Sequence, residues 1–229
     1  MKLAALFSGG KDSTYAIYLA KKLGHTVDVL LTLQPHSDES HLLHYPNINF
    51  TTLQSKSMKI PQLIEKVSNN NSQIEYEKLD YLFSRAKEEF SIEGIVHGGI
   101  LSKFQKDNFS LLCQKNNLKI ISPLWEKQPE SYMNELLDEN FQYVISTVSS
   151  DGLDESWLGS IIDKNRLNTL KSLQKKFGFN LNFEGGEAET FVINCPLFEK
   201  PLLILESATK WDGYRGRFEI LEAKLKDNA

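Results

Sequence analysis

Residues 8–13 read Ser-Gly-Gly-Lys-Asp-Ser: two hydroxyls, a cation, a carboxylate and two residues without a side chain, all within six positions. Gly9 and Gly10 permit a backbone path with no Cβ in the way, so successive N–H groups can converge into a concave nest of donors. Lys11 adds a full positive charge at the rim, and Ser8 and Ser13 can donate hydroxyl hydrogen bonds to the same acceptor. When such a turn opens a helix, an oxygen-rich anion is its natural occupant. Asp12 has two readings, as a cap on that helix or as a carboxylate for a metal ion beside the anion. The spacing fits neither a Walker A loop, which places Ser or Thr after its lysine, nor the GxGxxG dinucleotide fingerprint.

A turn of this kind needs a strand to deliver it and a helix to leave it. Residues 3–7 are apolar and predict a buried strand. Residues 13–23 predict a helix, with Ala16, Leu19, Ala20 and Leu23 on its inner face and Gly24 closing it. Further strands are expected over 27–33 and 48–53, then a short helix from Pro61 to about residue 68 and a polar loop over 68–73. Leu79, Leu82, Phe83, Ala86 and Phe90 mark the next helix. A strand running into a glycine turn follows at 94–99, a helix through Leu111 and Leu112, and a strand over 118–125. Strands alternating with helices imply an α/β fold with a doubly wound, mainly parallel sheet. Past Pro129 the pattern shifts to helices around Met133 and over 167–177, with extended runs at 143–148, 202–206 and 217–224. This predicts a nucleotide-binding domain over 1–126 and a smaller α+β substrate-binding domain over 127–229.

Composition narrows the function. The chain has 229 residues, 41% of them hydrophobic, enough for a sizeable packed core rather than a disordered segment. With 26 basic against 30 acidic side chains it lacks the basic excess of a protein that grips nucleic acid by its phosphates, so direct nucleic-acid binding is not expected. Cys113 and Cys195 form no CxxC pair, and both read as small buried hydrophobes. The apolar stretch after Met1 is too short for a signal sequence or membrane span, which predicts a cytoplasmic protein without a membrane partner.

In every position, residues 8–13 resemble the signature of the PP-loop ATP pyrophosphatases. That resemblance implies the PP-loop ATPase type of α/β fold, with ATP and Mg²⁺ as cofactors. It places the β- and γ-phosphates on Ser8, Gly9, Gly10, Lys11, Asp12 and Ser13, and has the reaction occur at the α-phosphorus to give AMP and pyrophosphate. Lys11 and Asp12 become the catalytic candidates, with Asp12 also the metal candidate. Further blocks in one order, "SHLLH" (40–44), "GGILS" (98–102), "PLW" (123–125), "GLDESWLG" (152–159), "EGGEAET" (184–190) and "PLF" (196–198), resemble a narrower family, the diphthine–ammonia ligases. This implies adenylation of the carboxylate of diphthine on elongation factor two and transfer of ammonia, supplied as ammonium, to give diphthamide; a homodimer stays open.

The blocks also nominate residues. Gly98, Gly99 and Ser102 offer backbone donors and a hydroxyl toward the nucleotide. His44, Lys103, Gln105, Glu184, Gly185, Gly186, Glu187, Glu189 and Thr190 are nominated for the acceptor. If 187–191 is extended, Glu187 and Glu189 project to one side, where crowded carboxylates need Mg²⁺ or a cationic substrate to offset them. Trp125 and Trp157 read as core residues or as a wall for a quaternary ammonium group, and His97 as a satisfied core residue. The chain departs from the family pattern at Lys103, which replaces an acidic residue. It also departs at Asn108 and Ser160, which replace arginines, and at Phe183, which replaces glycine. A short polar side chain does not reproduce arginine's planar fork. Two alternatives therefore stand beside the ligase: a paralogue that adenylates a different acceptor, and a non-catalytic ATP-binding sensor.

Overall fold

A computed structural model of the protein describes residues 1–34, 47–67 and 72–227. His44, with the rest of the 40–44 block, and most of the expected polar loop after residue 67 lie outside the described residues. The chain forms two compact units, one of Met1–Ser8 with Asp12–Trp125, the other of Gly9–Lys11 with the chain from Glu126 onward.

The first unit contains a five-stranded sheet, β1 (Lys2–Leu6), β2 (Thr26–Gln34), β3 (Gln62–Lys66), β4 (Gly94–Val96) and β5 (Lys119–Ile121), in the order β3-β2-β1-β4-β5. Every ladder in it is parallel. Helices α1 (Lys11–Lys22), α2 (Thr51–Met58), α3 (Ser72–Phe90) and α4 (Lys103–Lys115) connect the strands. Leu79, Leu82, Phe83 and Ala86 repeat at i, i+3, i+4, i+7 along α3, and they pack with Val29 and Leu31 of β2, Ile95 of β4 and Leu112 of α4. Complete burial of a side chain such as Leu82 or Phe83 stabilises the fold by about 1.5–3 kcal/mol each.

Two expected elements exchange places. Residues 48–53, expected as a strand, form a 3₁₀ turn at Ile48–Phe50 leading into α2, while the stretch after Pro61, expected as a helix, is β3. The buried face of α2 includes Thr51, Gln54, Ser55 and Met58 at i, i+3, i+4, i+7, a helical stripe made mostly of polar residues. The hydroxyls on this face are hydrogen-bonded: that of Thr51 donates to Ile48 O at 2.6 Å and that of Ser55 to Ile60 O at 2.6 Å. The inner stripe of α1 also differs from expectation. Ser13, Ala16, Ile17 and Ala20 are buried, whereas Leu23 is 66% exposed beyond the helix end.

The second unit contains α5 (Pro129–Asp138), β6 (Gln142–Val148), α6 (Lys164–Phe177), β7 (Ala188–Asn194), β8 (Leu202–Trp211) and β9 (Gly216–Leu225). Its sheet has the order β7-β6-β9-β8 with antiparallel ladders. Pro129 starts α5, where its missing N–H costs nothing, and Gly178 ends α6 in the left-handed region at φ 81°. Among the described residues, no helix is long and apolar enough to cross a membrane.

Candidate functional site

In the first unit the chain runs outward from β1 through β2 to β3, then returns to add β4 and β5 on the other side of β1. β1 and β4 therefore flank the point where strand order reverses, and parallel α/β sheets bind ligands beyond the carboxyl ends of their strands at that point. The turns leaving these two strands carry the residues nominated from sequence. Gly98 packs against the opening of α1: a Cβ there would lie 2.5 Å from Asp12 C and 2.6 Å from Ser13 N, so only glycine permits this approach. The Ser8 and Ser13 hydroxyls lie 3.2 Å apart and share a hydrogen bond, and the Ser8 N–H donates to Ser13 Oγ at 3.3 Å.

Ser102 caps α4, its Oγ accepting the Gln105 N–H at 3.4 Å. Lys103 is exposed and Gln105 half-buried in the first turn of that helix. Trp125 is half-buried, and the Lys106 ammonium sits over its ring at 3.7 Å from the centroid. His97 is buried, its ring between Gly99 and Ser122: the Gly99 N–H donates to Nδ1 at 3.1 Å and Ser122 Oγ lies 2.6 Å from Nε2. Burial, reinforced by the Lys106 charge, lowers the ring's pKa from 6.5 to about 4, so it is neutral at physiological pH.

Gly9, Gly10 and Lys11 pack within the second unit. Gly9 adopts φ 79° and its carbonyl accepts the Val192 N–H at 2.9 Å. The Lys11 N–H donates to Thr190 Oγ1 at 3.1 Å, which places this acceptor-side candidate against the lysine's backbone. The Lys11 side chain is 2% exposed, and its ammonium donates to Asn182 O at 2.7 Å. That ammonium lies 5.5 Å from the Phe183 ring centroid and 6.0 Å from that of Tyr132. Phe183 has φ 64°, a left-handed backbone that costs a bulky residue roughly 1–3 kcal/mol. Its buried ring against the lysine offsets part of that cost.

Glu187 grips its own loop. Its Oε1 accepts the Asn180 N–H at 2.8 Å and Asn180 Nδ2 at 2.7 Å, and its Oε2 accepts the Gly185 N–H at 2.9 Å. The Ser149 hydroxyl donates to Gly186 O at 2.8 Å and holds the next residue. Gly185 and Gly186 are exposed and Glu184 is half-buried. Glu189 lies inside β7, its N–H donating to Thr147 Oγ1 at 3.0 Å, while Glu187 precedes the strand. Trp157 is buried with the Arg166 guanidinium 5.3 Å from its ring. At two of the departures from the family pattern, polar groups turn back on their own chain: Asn108 Nδ2 donates to Phe104 O at 2.8 Å and the Ser160 hydroxyl to Trp157 O at 2.6 Å.

Both thiols are buried and protonated, Cys113 and Cys195 each pushed up to about 12 by burial. Among the described residues, no group of three or more His, Cys, Asp or Glu side chains is arranged to hold a metal ion. Ser122, Tyr132 and Asn182 carry no motif of their own. Ser122 directly precedes the 123–125 block and Asn182 lies two positions before Glu184, while Tyr132 lies in neither neighbourhood.

The fold and these turns define a class: a parallel α/β protein with a Gly-Gly-Lys turn at its first strand-to-helix junction and a second, antiparallel unit appended. The sequence matches the diphthamide synthase N-terminal domain over residues 1–120 and the diphthamide synthase C-terminal domain over residues 128–225. It is 33% identical over 222 residues to a human protein named diphthine–ammonia ligase, covering 89% of this chain and 83% of that one. A Saccharomyces cerevisiae protein of the same name is 28% identical over 259 residues, covering 99% of this chain and 37% of the yeast protein. The chain belongs to the diphthamide synthase family. A solved structure described as a predicted subunit of tRNA methyltransferase from Methanocaldococcus jannaschii is similar at 16% identity and a TM-score of 0.40, covering 86% of this chain and 98% of that one.

Proposed function

We propose that this chain is an AMP-forming amide ligase that converts diphthine on elongation factor two to diphthamide, using ATP and free ammonium. The observation that carries the reading is the close packing of Gly98 on Asp12 and Ser13, where the sheet order reverses and α1 presents its amides. Making an amide from a carboxylate in water requires that a carboxylate oxygen become part of a leaving group. The diphthine carboxylate attacks the α-phosphorus of ATP, forming a P–O bond as the bond to the bridging oxygen breaks and pyrophosphate departs. Ammonia then adds to the carbonyl carbon of the acyl adenylate, loses a proton and expels AMP.

This chain's residues bind and orient. The amides opening α1 and the Ser8 and Ser13 hydroxyls face the phosphate oxygens, and Lys11 offsets the charge that develops as pyrophosphate leaves. Mg²⁺ would come bound to the nucleotide and offset its phosphate charge. Asp12, in the first turn of α1, would offer a carboxylate beside it, which suits an ion held mainly by phosphates and water. A protein nucleophile is unnecessary, since positioning and electrostatics suffice. The protonated, buried thiols are unsuited to that role in any case.

A second reading is favoured by one observation. Asn108 and Ser160 engage their own backbone, so arginine-type contacts at those positions are missing, which favours a paralogue that keeps ATP use and adenylates a different acceptor. One assay separates the readings. Protein is incubated with ATP, Mg²⁺, ammonium and elongation factor two carrying diphthine, and nucleotides and modified peptide are both measured. The ligase yields AMP and the amidated peptide together. AMP without amidation supports a different acceptor, nucleotide binding without AMP supports a sensor, and release of ADP overturns the assignment.

A further inference from the structure

We propose that His97 is a positioning residue for the nucleotide: it fixes the Gly98–Gly99 turn on β5, and that turn in turn fixes the first residues of α1. The proposal rests on the reading that the opening of α1 holds the ATP phosphates.

His97 directly follows β4 and is 2% exposed, yet it is polar at both ends of its ring. Nδ1 accepts the Gly99 N–H at 3.1 Å and therefore carries a lone pair. In a neutral ring the proton then resides on Nε2, which donates it to Ser122 Oγ 2.6 Å away, just past the end of β5. The His97 backbone N–H donates to Ile121 O at 3.1 Å, and Phe109 of α4 meets the ring edge-on at 5.3 Å between centroids. Strand, helix and turn thus define one pose for the ring.

That pose reaches α1 without slack. A Cβ on Gly99 would lie 3.0 Å from Nδ1, so the turn sits flush on the ring. A Cβ on Gly98 would lie 2.5 Å from Asp12 C, so the other side of the turn sits flush on the helix start. No flexible side chain intervenes to absorb a shift, and close-packed backbone transmits small displacements. An apolar residue at position 97 would fill the space but leave the Gly99 N–H without this acceptor.

The two halves of the ring can be tested separately. In His97→Asn, Oδ1 takes the place of Nδ1 and keeps the Gly99 contact. In His97→Gln, the longer amide reaches Ser122 and leaves Gly99. Affinity for α,β-methylene-ATP is measured by calorimetry, KM for ATP and kcat by AMP release, and folding by thermal midpoint. His97→Gln is expected to weaken analogue binding and raise KM about tenfold with little change in kcat, whereas His97→Asn stays within about twofold of wild type. Ser122→Ala, which removes only the outer anchor, is expected to give a smaller rise of about threefold and serves if His97→Gln fails to fold.

Equal KM values in the Asn and Gln variants, or a lowered thermal midpoint with unchanged affinity in both Gln and Ser122→Ala, would overturn the proposal and leave His97 a packing residue. If wild type binds the analogue but releases no AMP, the reaction assigned above fails, while the positioning role is still decided by the analogue affinities. If wild type does not bind the analogue, both fail.

Discussion

In the first unit the candidate residues are delivered by backbone: strands stop, glycines turn, and a helix begins with its amides outward and no side chain between Gly98 and Asp12. In the second unit the corresponding work falls to side chains. The Glu187 carboxylate ties down Asn180 and Gly185, the Thr190 hydroxyl accepts the Lys11 N–H, and the Lys11 ammonium donates to the backbone carbonyl of Asn182. The contrast identifies what each region tolerates. A site built from close backbone contact fails when an atom is added, whereas a site built from side-chain clamps fails when one is removed.

Lys11 should show the largest effect, because it combines the charge assigned to catalysis with the second unit's internal contacts. Lys11→Met keeps the aliphatic stem against Tyr132 and Phe183 but loses the charge, and AMP formation should fall about 1,000-fold. Turnover within a factor of ten of wild type would remove Lys11 from the proposed chemistry. Stability should drop too, by about 1–2 kcal/mol, since Asn182 O loses its buried donor.

A pH series addresses the first unit. His97 has a pKa of about 4 in the folded chain against 6.5 when unperturbed. Below pH 6.5 the unfolded chain takes up a proton that the folded chain refuses. The stability tied to the neutral ring is therefore present above pH 6.5 and lost as pH falls toward 4, on the order of 3 kcal/mol in full. Urea midpoints across this range should decline more steeply for wild type than for His97→Asn; parallel curves would contradict the assignment.

The contrast itself is sharpened by a matched pair. Gly98→Ala adds one methyl against Asp12 and should cost about 1–3 kcal/mol and weaken ATP binding. Glu187→Ala removes a clamp and should cost about 2 kcal/mol, with Glu187→Gln recovering part of it. If Gly98→Ala binds ATP normally, the backbone account of the first unit is wrong. The smallest change is expected at Asp163, which caps α6 by accepting the Arg166 N–H at 2.7 Å. Its replacement by Ala should lower stability by about 1 kcal/mol and leave AMP formation unaltered.

The same difference explains what sequence reveals. The Ser8–Ser13 and Gly98–Gly99 turns are legible because glycine between a strand and a helix has a conformational reason that can be stated without the fold. The apolar stripe of α3 is legible because hydrophobic spacing follows the helical period. Helix α2 is not, since its buried stripe is Thr51, Gln54 and Ser55, and β-branched Thr51 and Thr52 beside Ile48 and Phe50 imitate a strand. The hydrogen bonds that make this polar face acceptable, such as Gln62 Nε2 to Thr51 Oγ1 at 2.9 Å, exist only after β3 is in place. Likewise, the crowded carboxylates of "EGGEAET" suggest a cation in sequence, whereas Glu187 binds nearby backbone amides. Contacts of Lys11 with residues 171 and 179 positions away are beyond any local pattern.

The two cysteines happen to be divided between the units, Cys113 at 2% exposure in the first and Cys195 at 4% in the second. Alkylating and oxidising reagents attack the thiolate, a form both sulfurs resist until the surrounding structure opens. The chain therefore carries a chemical clock in each half, and the rates at which iodoacetamide marks Cys113 and Cys195 under native conditions report how often each half breathes.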